Sequence, residues 1–170
     1  LVKEMKKCNF AEAVKFITEH FGYSKGEKAS YNVLESISTN AGKHRLLEKV
    51  VEHYHNTLIN HQEGLEYLGK RGLYNLEVIK KFRIGFANRT LHQGISGDDK
   101  SILLDIGIFH DNPPHHESFN GCVVFPIFDS DGNVTELYGR KIGNRLRPET
   151  PKHLFLKGKH SGVFNSNNLN

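Results

Sequence analysis

The chain of 170 residues has only two cysteines and no run of about 18 apolar residues. Without such a run, nothing in it is expected to span a membrane. Cys8 and Cys122 lie far apart and neither has a C-x-x-C neighbour, so neither a disulfide framework nor a zinc knuckle is indicated. A reducing cytoplasm is the expected location. The opening LVKEMKKCNF lacks the pattern of a signal peptide and does not begin with Met, so the sequence reads as a fragment of a longer protein. The phosphate-binding G-x-x-x-x-G-K-[ST], the dinucleotide G-x-G-x-x-G after a strand and the nucleophile elbow G-x-S-x-G are also missing, which leaves nucleotide hydrolysis, dinucleotide binding and α/β-hydrolase chemistry without their local signatures. Internal repeats and low-complexity tracts are absent too.

What is there is a composition of 37% hydrophobic and 25% charged residues, which reads as a soluble globular chain long enough to bury a core. The net charge of +4 is unevenly placed. Between positions 140 and 159, Arg140, Lys141, Arg145, Arg147, Lys152, Lys157 and Lys159 stand against Glu149 alone, a local +6 that leaves the remainder near −2. Such asymmetry points to an anionic partner at one face, and to nucleic acid before membrane because no amphipathic basic helix accompanies it.

In NFAEAVKFITEHFG, Asn9 and Glu12 form a capping-box pattern at the start of a helix that Gly22 ends. Residues 23–32 are polar and read as a linker, with a short helix possible at 33–39. Leu46, Leu47, Val50, Val51, Tyr54 and Leu58 recur at three and four residues, which predicts an amphipathic helix over 43–59. EGLEYLGKRGL predicts a short helix stopped by Gly72, and Asn75 can cap another that packs Leu76, Ile79 and Phe82. DDKSILLDIGIF predicts a further short helix ending near Gly107. In CVVFPIFDSDGNVTELYGRKI, two runs rich in Val, Ile, Phe and Tyr flank a turn at Asp129 to Gly132, the pattern of a β-hairpin. With short strands at HLFL and GVF, the expected class is α+β: N-terminal helices followed by a small, mostly antiparallel sheet.

Metal chemistry finds little support. His53 and His55 are two apart and fall on different faces of their helix, which reads as plain helix surface. HDNPPHHE holds three histidines, but its stiff Pro113-Pro114 pair suits an exposed loop better than a ligand cage. Asp129, Asp131 and Asn133 imitate a calcium loop, yet the glycine, Gly132, comes two positions early and Arg140 stands where the closing Glu belongs. No catalytic residue is indicated. The spaced cations with Tyr138, His153 and Phe155 interleaved remain, since cations track phosphates while aromatic faces stack unpaired bases. A solvated basic face fits the same composition.

Three blocks in order, EGLEYLGKRGLYNLEVIKKFRIGFA, VVFPIFDSDGNVTELYGRKIG and TPKHLFLKGKHSGVFN, resemble the amino-terminal basic subdomain of the RNA polymerase core of bacterial DnaG-type primases. The resemblance implies a remnant of a zinc-ribbon domain at 1–22, a linker at 23–42 and the basic subdomain at 43–170. The zinc cysteines are then expected before Leu1, and the Toprim subdomain with its metal-binding acidic residues after Asn170. Mg2+ or Mn2+ and Zn2+ are implied for the longer protein, with none in this fragment. Its implied partners are single-stranded DNA template and, for the longer protein, a replicative helicase. The fragment itself is expected to be monomeric and, alone, inactive.

Residue by residue, Lys70-Arg71-Gly72 is similar to the family's basic-Arg-Gly, Gly139-Arg140 to its glycine-arginine after the hairpin, and Lys152 in Thr150-Pro151-Lys152 to its lysine. Lys157 and Lys159 occupy the next basic block. Lys141, Arg145 and Arg147 complete the expected DNA contacts, and Tyr138, His153 and Phe155 the expected stacking faces. Where the family places arginines before its FPI strand, Ser118, Phe119, Asn120 and Gly121 stand here, so that stretch is neutral, with Asn120 able to hydrogen-bond a phosphate or base. The compact HLFLKGKHSGVFN is similar to primases of plasmids and phages. Two rivals remain: a basic module docking an acidic protein or neighbouring domain, and a metalloenzyme built on the histidines.

Overall fold

A computed structural model describes residues 27–111, 116–143, 146, 148–158 and 164, with side chains from residue 40 onward. Contacts divide the chain into two units, 1–42 and 43–170, and each is described by itself. In the first, the helix expected over 9–22 lies outside the described residues. Helix α1 spans Glu27–Ile59, so residues 27–42 of the expected linker are helical and include the short helix read as possible at 33–39. Residues 27–42 hold no proline and a single glycine, so their polarity does not prevent helix formation.

The second unit begins with the amphipathic stretch of α1. Its Leu46, Leu47, Val50, Val51, Tyr54 and Leu58 are all buried, as their spacing predicts. Helix α2 (Gln62–Lys70) starts at His61, whose Nδ1 accepts from the Gly64 N–H, and Gly72 follows at φ +71. Helix α3 (Leu76–Lys81) is capped by Asn75, whose Oδ1 accepts from the amides of Glu77 and Val78. Ile79 packs inward with Phe82 against its cluster, but Leu76, the first residue of this six-residue helix, is 49% exposed, a correction to its expected burial.

The chain then enters strand β1 (Gly85–Phe86). Gly85 allows this close packing. A Cβ there would lie 2.6 Å from Tyr54 Cβ and 2.7 Å from the Tyr54 carbonyl carbon, so only glycine lets the strand cross α1. A 3₁₀ turn (Leu91–Gly94) and helix α4 (Gly97–Asp105) follow, the latter capped by Ser96. Strands β2 (Phe109–His110) and β3 (His116–Glu117) pair antiparallel, so both ends of the expected histidine loop are fixed in a ribbon. The ribbon buries Glu117, whose carboxylate accepts from the Leu91 N–H at 2.8 Å and the Tyr54 hydroxyl at 3.2 Å.

The hairpin forms where expected. Strands β4 (Cys122–Phe128) and β5 (Val134–Lys141) pair antiparallel around a turn in which Asp129 Oδ1 accepts from the amides of Asp131 and Asn133. That carboxylate closes a turn, which is why the calcium-loop imitation is local geometry. Strand β6 (His153–Phe155) adds to β5, completing a four-stranded sheet in the order β1-β4-β5-β6. The further strand at GVF lies largely outside the described residues.

The sheet separates two apolar cores. Cys122, Val124 and Leu137 face the first, shared with α1, α4 and the ribbon; Val123 faces the second, with Leu58, Leu68, Ile79, Ile84 and Phe86. His44 Nδ1 donates to the Val134 carbonyl, and Glu48 accepts from the Val134 amide and from Arg83 Nη1 at 2.6 Å, fixing α1 against the start of β5. His53 and His55 are half-buried, bonded to Thr90 Oγ1 and the Ile84 carbonyl, and so fasten two connections instead of forming plain helix surface.

Candidate nucleic-acid interface

Alternation along β5 places Tyr138 and Arg140 on the sheet face opposite the first core. The register sets Tyr138 beside Phe125 and Phe155, and Arg140 beside Val123 and His153. The aromatic rings touch in series: Tyr138 lies 5.8 Å from Phe125, 5.9 Å from His153 and 5.2 Å from Phe155 between centroids. Both nitrogens of His153 are engaged, Nε2 by an Arg140 Nη1 hydrogen and Nδ1 by the Tyr138 hydroxyl at 2.7 Å. Arginine has only donors, so Nε2 accepts; in the neutral ring Nδ1–H then donates to the Tyr138 oxygen. This leaves the Tyr138 hydroxyl hydrogen, and most of the Arg140 fork, for a ligand.

Arg140 also lines a hollow of about 470 Å³ together with Arg71, Lys141 and Lys152. Four cations expected to contact DNA, drawn from three separate parts of the chain, thus meet at one place. Each is positioned by ordinary structure. Arg71 is the C-cap of α2 and its guanidinium lies 5.5 Å from the centre of the Tyr67 ring, one turn earlier. Lys141 ends β5, and its amide donates to the Lys152 carbonyl at 3.0 Å, tying the two lysines together across the β5–β6 pair. Gly139 explains why glycine precedes Arg140: a side chain there would meet the ring of the buried Phe119 and stand 3.3 Å from Cys122 Cβ.

Other expected contacts fall elsewhere. Lys70 is exposed in the last turn of α2 and is not among the residues lining the hollow. Asn120 is half-buried in the turn before β4, where its amide donates to the Glu117 carbonyl, and it does not line the hollow either. Lys157 lines a second hollow, of about 360 Å³, with Phe155. Arg145, Arg147 and Lys159 lie outside the described residues. Tyr67, Ile142, Leu146 and Glu149 line the first hollow without having been expected there. Tyr67 was accessible from its i, i+4 spacing to Arg71 on a helix. Glu149 was not: it sits at φ +66, in a turn that sequence spacing does not announce.

The ionisable groups away from this face are structural. Burial pushes the Cys122 thiol up to about 11, which keeps it a protonated core residue. His116 is held below the usual histidine value by burial and by the nearby positive charges of Arg89, His110 and Lys141. Among the described residues no group of three His, Cys, Asp or Glu is arranged to hold a metal, and no helix is long and apolar enough to cross a membrane.

Helices leading into a small antiparallel sheet, with cations gathered at one end of its central pair, make this an α+β domain with a basic hollow. A structure of the DnaG primase catalytic domain bound to single-stranded DNA superposes with a TM-score of 0.62 at 28% identity, covering 72% of this chain and 41% of that one. The family model for the DNA primase catalytic core, N-terminal domain, matches residues 53–168, and the chain belongs to that family. The DNA primase of Enterococcus faecalis is 31% identical over 179 residues, covering 96% of this chain and 28% of the relative. That of Salmonella typhimurium is 40% identical over 96 residues, covering 52% of this chain and 16% of the relative. The chain therefore spans less than a third of either relative.

Proposed function

We propose that residues 43–170 bind single-stranded DNA template and steer it toward a Toprim active site of a longer protein, a cytoplasmic primase that makes RNA primers for replication with a replicative helicase as partner. The observation that carries this reading is the convergence of Arg71, Arg140, Lys141 and Lys152 on one hollow beside exposed aromatic rings. Phosphates would sit against the four cations, Arg140 using the guanidinium hydrogens that His153 leaves over. Unpaired bases would stack on His153 and Phe155, the exposed members of the ring series. Most contacts go to backbone phosphate and ring faces, so the surface reads charge and shape more than sequence. Mg2+ or Mn2+ and Zn2+ belong, on this reading, to other parts of the longer protein. The described residues offer no metal cluster, and no step here depends on one.

Fluorescence anisotropy of the 170-residue chain with a labelled oligonucleotide tests the reading. Four phosphate contacts at about −0.7 each give an expected slope of log affinity against log salt near −3. Arg140→Ala combined with Lys152→Ala should weaken binding and bring the slope to about −1.4. A slope near zero, or a double variant that binds as before, would overturn it. Polyglutamate displacing the oligonucleotide at equal charge would favour the rival, a basic module for an acidic protein.

A further inference from the structure

We infer that the template path continues round the end of the sheet from Lys141 to Arg89, whose guanidinium takes a phosphate beyond the first hollow. The inference rests on the template-binding reading and adds to it a contact from the connection between β1 and the 3₁₀ turn. Alternation along β5 sends Lys141 to the side of its partner Cys122, opposite Arg140, yet it lines the same hollow as Arg140. It therefore stands at the rim, where a strand can pass from one side of the sheet to the other. Its Cε lies 3.9 Å from where a Gly121 side chain would begin. The Gly121 amide donates to the Ala87 carbonyl at 2.7 Å, and Arg89 follows two residues later, at most about 7 Å of chain at ~3.3 Å per residue.

His116, held below its usual value first by burial, also feels the positive charges of Arg89, His110 and Lys141, which places these groups around one patch. Arg89 itself is exposed, and among the described residues its guanidinium has no carboxylate partner. Other cations differ: Arg45 and Lys49 share Asp99, and Arg83 pairs with Glu48. The turn that carries Arg89 is fixed from within. Its φ is +69, a conformation that costs an arginine energy and a glycine almost none. The buried Glu117 carboxylate accepts from the Leu91 amide at 2.8 Å and from the Arg89 amide as well. Thr90 Oγ1 donates its only hydrogen to Asn88 Oδ1 at 2.6 Å, so it accepts from His53 Nε2 at 2.8 Å. A cation carried on so fixed a backbone has that part of its ordering cost met on folding.

The test uses the 170-residue chain and labelled oligonucleotides of increasing length. While a strand fills only the first hollow, log affinity against log salt should slope at about −2.8; once it reaches Arg89 the slope should become about −3.5. Arg89→Gly accepts the left-handed backbone without strain, so the fold is kept while the charge is lost, and the slope on the long strand should return to about −2.8. Arg89→Lys keeps a cation and should hold the slope at about −3.5. Lys43→Ala, at the other end of the sheet beside the bond from His44 to Val134, should leave the slope as it was. A long-strand slope unchanged in Arg89→Gly, or lowered as much by Lys43→Ala, overturns the inference. If the slope stays near −2.8 at every length and falls only when Arg140 and Lys152 are replaced, the Arg89 contact fails while template binding stands. If no strand binds, both fail.

Discussion

At the residue scale the least expected group is Glu117, a carboxylate with 1% exposure inside a segment whose sequence reads as a polar loop. Burial raises its pKa, and the bonds from the Leu91 amide and the Tyr54 hydroxyl only partly oppose this. A raised carboxyl binds a proton more tightly folded than unfolded. Its contribution to stability is therefore full below the ordinary glutamate range and lost as pH rises through the folded value. Asp99, lowered chiefly by its bond from Lys49, and Asp129, lowered chiefly by Asn133, act in the opposite sense and lose their contribution as pH falls. Glu117→Gln removes only the first dependence, and its amide can still serve both partners. Measured by urea unfolding, the stability of the variant relative to the unaltered chain should increase between pH 4 and pH 8; a constant difference would refute this. Nothing adjacent in sequence announces this residue, because its fate is set by Tyr54, 63 positions away.

At the scale of elements, the hairpin was legible because each strand is a run rich in Val, Ile, Phe and Tyr, and the turn between them is chemically marked. The strands β1, β2 and β3 have two residues each, too few for any period, and exist only because partners pull them into register. Helix over 27–42 was only partly legible: a short helix at 33–39 was read as possible, while the polar composition of the rest suggested a linker, although polar residues form helix readily. The crossing of β1 over α1 gives a direct test. Gly85→Ala would place a methyl against two backbone atoms that cannot swing aside, at 2.7 and 2.9 Å. The expected cost is roughly 3 kcal/mol, the upper part of the overpacking range, read from the shift in denaturant midpoint. A change below about 1 kcal/mol would mean that strand and helix can part without penalty.

For the molecule as a whole, the positive charge concentrated in 140–159 was visible in the sequence, but its division was not. Folding gathers Arg140, Lys141 and Lys152 with the distant Arg71, and sends Lys157 to a separate hollow. Residues 43–170 form a compact unit of their own. A chain of those residues should therefore unfold in a single urea transition and bind oligonucleotide, and two separate transitions would refute this.

The sheet's order has one more consequence, in the language of hydrogen exchange. At Val123 and Val124, β4 is paired on both edges and buried, so the amides there should exchange only when the whole unit opens. β6 is a three-residue edge strand with exposed ends, and its amides should exchange by local fraying. The rings and cations proposed to meet DNA thus sit where a rigid platform gives way to a loose border, and bound strand should slow exchange at that border while leaving β4 unchanged.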